Sequence, residues 1–155
     1  MIRLEPMDEA TFQAWREASI RDYAAEKVEA GNWLADEAPQ RARAEFEALL
    51  PEGRDTVGHE VRAMVDADGR RVGQAWFAFE ERPFGRVIYI YDIAVDPAHR
   101  RRGYALAALA EIEGFAREHA CVGVQLHVFG GNEGARVLYR RAGYLETNVT
   151  MLKRV

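Results

Sequence analysis

Apolar residues recur along this chain at two periods, and the change from one to the other organises it. A short opening strand, about Ile2 to Leu4, leads to Asp8, whose carboxylate suits a helix N-cap. From there to about Ala30, Phe12, Trp15, Ser19, Ile20 and Tyr23 return at three-to-four spacing, so they share one helical face, and Gly31 ends the helix. A second helix starts near Asp36 or Ala38-Pro39, where proline is tolerated in the first turn. It carries Phe46, Leu49 and Leu50 on its apolar side and stops at Pro51. The period then drops to two. His59 to Val65 reads as a strand, Asp66-Ala67-Asp68-Gly69 as a turn, and Val72 to Phe79 as the return strand of a hairpin. Arg86 to Val95 is almost all apolar, β-branched or aromatic, which predicts a central strand buried on both faces. A helix follows from about Gly103 to His119, with Leu106, Leu109, Ile112 and Ala116 in one stripe. Val122, Val124, Leu126 and Val128 alternate as another strand. A short helix from Glu133 to Ala142 lies between Asn132 as N-cap and Gly143, and Glu146 to Lys153 closes as a strand. The order β-α-α-β-β-β-α-β-α-β predicts an α/β chain with a mixed sheet of about six strands flanked by helices.

A length of 155 residues is that of one domain, spanning 1–155, with no internal repeat, low-complexity tract or linker. Hydrophobic residues make up 48% and charged residues 30%, which argues against disorder. Cys121 is the one cysteine, so an internal disulfide and a cysteine-rich zinc site are excluded. The four histidines show no ligand spacing, and no metal is expected. No apolar run suits a membrane helix and Met1 to Asp8 is no signal peptide, so a cytoplasmic location and no membrane partner are expected. The net charge of -4 disfavours nucleic acid as a partner, and any anion site must be local.

One segment fits such a site. Ile93-Ala94-Val95-Asp96-Pro97 ends a buried strand, Ala98-His99-Arg100-Arg101-Arg102 forms a basic loop, and Gly103-Tyr104-Ala105 begins a helix. Free N–H groups and the positive dipole end at a helix start favour an anion. Gly103 lets the backbone come close, Ala105 leaves the opening uncrowded, and guanidinium groups suit phosphate. Together these pieces describe a pyrophosphate cradle; the plainer alternative is a solvated basic loop before an ordinary helix. The spacing is neither Gly-x-Gly-x-x-Gly nor a Walker loop, which disfavours common dinucleotide and nucleoside triphosphate sites. The only serine, Ser19, stands in no nucleophile elbow, which argues against that class of hydrolase.

Arg100-Arg101-Arg102-Gly103-Tyr104-Ala105 resembles the acetyl-CoA loop of the GNAT superfamily of N-acetyltransferases, Gln/Arg-x-x-Gly-x-Gly/Ala. Asn132-Glu133-Gly134-Ala135 through Tyr139 to Gly143-Tyr144 is similar to the second family pattern, Asn-x-x-Ala-x-x-x-Tyr-x-x-x-Gly-Phe/Tyr. The two stand in the family's order, and the likeness runs from about Arg86 to Lys153, with Leu126-His127-Val128-Phe129 and the Gly-Gly-Asn after it resembling a bacterial subgroup of unassigned substrate. It implies a mixed, mostly antiparallel sheet and transfer of acetyl from acetyl-CoA to an amine of a small molecule or peptide by direct attack. Dimers are common in the family.

The resemblance implies that backbone groups of Ile93, Ala94 and Val95 pair with the pantetheine arm. Arg100, Arg101, Arg102, Gly103, Tyr104 and Ala105 hold the pyrophosphate, Asn132 sits beside the cofactor arm, and Tyr139 lies near the thioester sulfur. A phenol of pKa ~10 can protonate a poorly solvated thiolate whose acid form lies near ~8.5. A backbone N–H near Ala94 is a candidate oxyanion donor. Asp92 is the first candidate for the base that takes the ammonium proton; Glu26, His127 and a water chain are the alternatives, and Tyr91 stands where the family often has an acid. The first two helices and the hairpin tip would shape the acceptor site, where Asp22, Glu26 and Glu29 could attract a cationic amine. A non-catalytic acyl-CoA-binding module on the same scaffold is the rival reading.

Overall fold

The structure, a computed structural model, describes residues 1–155. Its elements are β1 (Ile2–Pro6), α1 (Glu9–Glu29), α2 (Ala38–Leu49), β2 (His59–Asp66), β3 (Arg71–Arg82), β4 (Gly85–Val95), α3 (Tyr104–Glu118), β5 (Gly123–Leu126) and α4 (Glu133–Arg141). The strands form one sheet in chain order, antiparallel throughout except for the parallel pair β4–β5, which α3 connects. No helix is long and apolar enough to cross a membrane.

Local chemistry sets the helix ends. Asp8 caps α1 by accepting from the Thr11 N–H at 2.7 Å, and Asn132 caps α4 by accepting from the Ala135 N–H at 3.2 Å. The two faces of the sheet carry separate cores. Phe12, Trp15 and Ile20 of α1 and Ala42 and Phe46 of α2 pack on Val61, Ala63, Val65 and Trp76. On the opposite face Ala108, Leu109, Ile112 and Ala116 of α3 pack on Phe77, Ile88 and Ile90, with Tyr139 and Ala142 of α4 alongside. Leu106 departs from the expected stripe: it is exposed, turned away from the face on which Ala108, Leu109, Ile112 and Ala116 are buried.

The sheet has five strands, one fewer than expected. Residues 145–155, which include the expected strand Glu146 to Lys153, have no regular structure and are exposed. An alternating pattern makes a segment able to be a strand but supplies no partner. Here the free edge is β5, only four residues long, and the last tie of the chain is Glu146 to Arg136 at 2.8 Å. β4 is also less enclosed than its composition predicts. Val87, Ile88 and Ile90 are buried, whereas Tyr89 and everything from Tyr91 to Val95 are half-buried. β5 accounts for this: it pairs with β4 only from Val87 to Ile90 and then diverges.

Candidate active site

β4 leaves the sheet at Val95, passes through a single 3₁₀ turn at Pro97–His99 and reaches α3 through Arg101 and Gly103. Both of these residues have left-handed φ, 64° and 79°. For Arg101 that conformation is strained, whereas Gly103 takes it freely as N-cap of α3. Gly103 contributes no capping side chain, so the first N–H groups of a 15-residue helix have no side-chain acceptor. A Cβ at Gly103 would meet nothing within 4 Å, so the approach is open.

A cleft of about 360 Å³ lies at this helix end. Of the residues expected to hold the coenzyme, Arg100, Arg101, Gly103, Tyr104 and Ala105 from the pyrophosphate set and Val95 from the pantetheine set line it. Arg102 is exposed and does not line it, and neither do Ile93, Ala94 and Asn132. Arg141 of α4 and His99 also line it, and sequence reasoning missed both. Arg141 sits two residues before Gly143, inside a motif read only for its Asn and Tyr, and carried no other signal. The cleft contains no carboxylate, and its arginines form no ion pair; Arg100 donates only to the Val95 carbonyl, at 3.1 Å. The His99 Nδ1 atom is buried without a hydrogen-bond partner. Unpaired guanidinium groups, uncapped N–H groups and an orphaned ring nitrogen suit the diphosphate of a coenzyme.

Beside the cleft, the sheet forks. β3 pairs with one edge of β4 from Ile93 to Val95, while β5 reaches the other edge no further than Ile90. The Ile93–Val95 edge facing β5 therefore has room for an extended chain with amide groups. Within the same strand the register slips: Phe77 opposes Ile90 and Trp76 opposes Asp92, leaving Tyr91 as an extra residue. The bulge turns Tyr91 and Asp92 toward the same face. Tyr91 stacks on Trp76 at 4.6 Å between centroids, and Asp92 accepts from Trp15 Nε1 at 3.1 Å and Gln74 Nε2 at 3.4 Å, both on Oδ2.

Asp92 lies deep in the fork with part of its surface still open. Burial pushes its carboxyl above the usual range, against the two donors that favour the charged form, and Asp22 raises it further. Tyr139 approaches from α4. Its phenol is half-buried and raised, first by burial and then by the negative charge of Asp92, so these two candidates converge. The neighbouring Tyr144 ring is 5.9 Å away, with a buried hydroxyl that has no partner. Glu26 of α1 stands at the rim, its carboxyl raised by partial burial and then by Asp92. His127 is exposed, edge-on to Phe129 at 5.0 Å, and does not join this group.

Toward α1 and α2 the fork continues as an acidic and aromatic trough. Tyr23 donates to Glu45 at 2.7 Å, and Tyr91 donates to Glu80 through a short bond. Arg82 pairs with Glu80 at 2.6 Å and donates to Gln125 of β5 at 2.9 Å. Trp15 and Trp33 are buried as helix-packing residues rather than as walls of the trough. A larger cleft, about 760 Å³, separates α1 from α2 around Ile20, Ala24 and Ala38. It shares no residue with the helix-end cleft or the fork, so its size does not make it the reaction site.

Comparison with known proteins bears on the family and the fold. The sequence profile described as "Acetyltransferase (GNAT) family" matches residues 12–144. YycN of Bacillus subtilis, an uncharacterised N-acetyltransferase, is 34% identical over 99% of this chain and 99% of its own length. Its crystal structure superposes with a TM-score of 0.92 over 100% of this chain and 99% of that one. YdgE of the same organism, also an uncharacterised N-acetyltransferase, is 32% identical over 98% of this chain and 97% of its own. Glucosamine 6-phosphate N-acetyltransferase 1 of rice is 33% identical over 70% of this chain and 65% of its own.

Proposed function

Because the chain belongs to the GNAT acetyltransferase family, we propose that it transfers the acetyl group of acetyl-CoA to an amine at the fork between β4 and β5. The observation that carries this reading is the junction of two features: an uncapped helix end with three unpaired arginines, and an open strand edge leading from it to Asp92 and Tyr139. Arg100, Arg101 and Arg141, with the N–H groups of Gly103 to Ala105, bind the diphosphate. Ile93 to Val95 align the pantetheine amides as an added strand. Asn132 has its side-chain oxygen committed to the Ala135 N–H, so it acts by fixing the start of α4 and with it the position of Tyr139.

Acetyl-CoA, when bound, supplies an acyl group already activated as a thioester. The residues of the chain handle the protons. Asp92 accepts a proton from the incoming ammonium, directly or through water; its raised pKa makes it a stronger base than an ordinary aspartate. The freed nitrogen forms the C–N bond as the C–S bond breaks, and a main-chain N–H near Ala94 meets the charge that develops on oxygen. Tyr139 gives its hydroxyl proton to the departing sulfur. Burial raises the phenol pKa, so the proton is held at neutral pH until a poorly solvated thiolate is beside it. The second proton shed by the nitrogen restores the Tyr139 phenol, and the one held by Asp92 passes to solvent. The products are an amide, a free thiol and one released proton, and no covalent bond to the protein forms. The half-buried Cys121 has its thiol raised by burial, and its weak hydrogen bond goes to the His119 carbonyl, so it plays no part.

The test is thiol release from acetyl-CoA across an amine panel, alongside calorimetric titration with CoA. Tyr139→Phe should lower turnover by about 100-fold while leaving CoA affinity within about twofold. A full-rate Phe variant would remove Tyr139 from proton donation, and tight CoA binding without turnover on any amine would favour a non-catalytic binding module.

A further inference from the structure

The acceptor side of this same site has an unusual charge balance. Asp22, Glu26, Glu45, Glu80 and Asp92 gather around the trough between α1, α2 and the β3–β4 face of the sheet. Only Glu80 has a guanidinium partner, Arg82. Lys27 adds one ammonium at the edge, over the rings of Tyr23 and Trp33 at 5.5 and 5.4 Å. His59 also faces Glu80, but burial pushes its pKa down and its Nδ1 accepts from Trp76, so it adds no charge at neutral pH. Negative charge therefore exceeds positive along the path from Tyr139 through Asp92 and Glu26 to Tyr23 and Glu45.

Carboxylates on an exposed helix are ordinarily hydrated and mean little. Asp92 differs: it is an acid deep in the fold with no cation anywhere beside it, and such a group gains most from a counter-ion that arrives with a ligand. The walls of the trough agree. Tyr89 meets Tyr91 edge-on at 4.8 Å, Tyr91 stacks on Trp76, and the Tyr23 ring lies where Glu26, Glu45 and Tyr89 converge. Aromatic faces bordered by acids accept the alkyl stem and ammonium head of an amine.

Resting on the acetyl-transfer reading, we propose that the acceptor is an alkyl amine with a second ammonium group, a di- or polyamine. The reacting nitrogen sits by Asp92 and Tyr139, and the second ammonium is held by Glu26 and Glu45 against the Tyr23 ring. A phosphorylated amine would bring its anion against these same acids.

Four probes test this: 1,4-diaminobutane, spermidine, butylamine and phosphoethanolamine. The kcat/KM for the diamine and triamine should exceed that for butylamine by at least about tenfold, with phosphoethanolamine lowest. In the Glu26→Gln/Glu45→Gln double variant this ratio should fall toward unity through a rise in KM, with CoA affinity reporting an intact fold. Calorimetric titration of spermidine and butylamine into the CoA-loaded protein keeps the two readings separate. Selective spermidine binding without acetylation of any amine upholds the acceptor class and sinks the transfer step. Equal binding or equal turnover of butylamine and the diamine, no spermidine binding, preference for phosphoethanolamine, or an unchanged ratio in the double variant overturns the proposal.

Discussion

Gly73 on β3 and Gly123 on β5 are both strand glycines, and the space around them is opposite. A Cβ at Gly73 would run into the Ala94 carbonyl oxygen and stand 3.0 Å from Val95 Cα and 3.1 Å from the Met64 sulfur, and two of these three are backbone atoms that cannot turn aside. A Cβ at Gly123 would meet nothing within 4 Å. Gly73→Ala should therefore cost about 1–3 kcal/mol in denaturant unfolding and weaken CoA binding, because the displaced residues belong to the strand edge proposed to pair with the pantetheine arm. Gly123→Ala should stay within about 0.5 kcal/mol of the parent; equal losses in the two variants would show that strand entropy, not contact, decides. The sequence carries no mark of this difference, since the two glycines look alike on paper. It is similarly silent on the bulge at Tyr91. Asp92 stood out as an acid in an apolar strand, but a strict period of two would send Tyr91 and Asp92 to opposite faces, and only the slipped register brings both toward α1.

At the level of elements, the start of α3 was the most legible part of the chain. A strand, an arginine loop, one glycine and a helix are local features, and each has a physical meaning at its own position. Arg141 was not legible because it reaches the cleft through the packing of α4, which is a long-range fact. The end of the chain was misread for the related reason that alternation predicts a strand without predicting a neighbour. The same helix start yields a sharp prediction. Gly103→Glu puts a side chain on a residue with φ of 79°, at a strain of about 1–2 kcal/mol, and adds a carboxylate beside the proposed diphosphate site. Nothing lies within 4 Å of the added Cβ, so the fold should survive with a slightly lower Tm. CoA affinity should fall by more than about 100-fold, measured by calorimetry. An unchanged Kd in a folded variant would move the coenzyme away from this helix end.

For the molecule as a whole, Asp92 links stability to activity through pH. Its folded pKa lies above the ordinary 3.8, with burial the main cause, so the folded chain holds this proton more tightly than the unfolded chain does. The contribution from neutral Asp92 is therefore complete below the unfolded value and is lost as pH rises through the raised folded value. Above that range the protein buries an anion without a cation, and Trp15 and Gln74 offset only part of the cost. Asp92→Asn keeps an oxygen that can accept from both donors and removes the charge. The variant should melt a few degrees higher than the parent near pH 8, and this gain should shrink steadily toward pH 4. Over the same range its turnover should be lower by about 100-fold or more, because an amide cannot take the ammonium proton. Thermal melts and initial rates across pH 4 to 8 measure both effects on one sample. A variant less stable than the parent at every pH would mean that the two hydrogen bonds to the charged carboxylate outweigh its burial, and Asp92 would then be a structural anchor whose place beside Tyr139 has another cause.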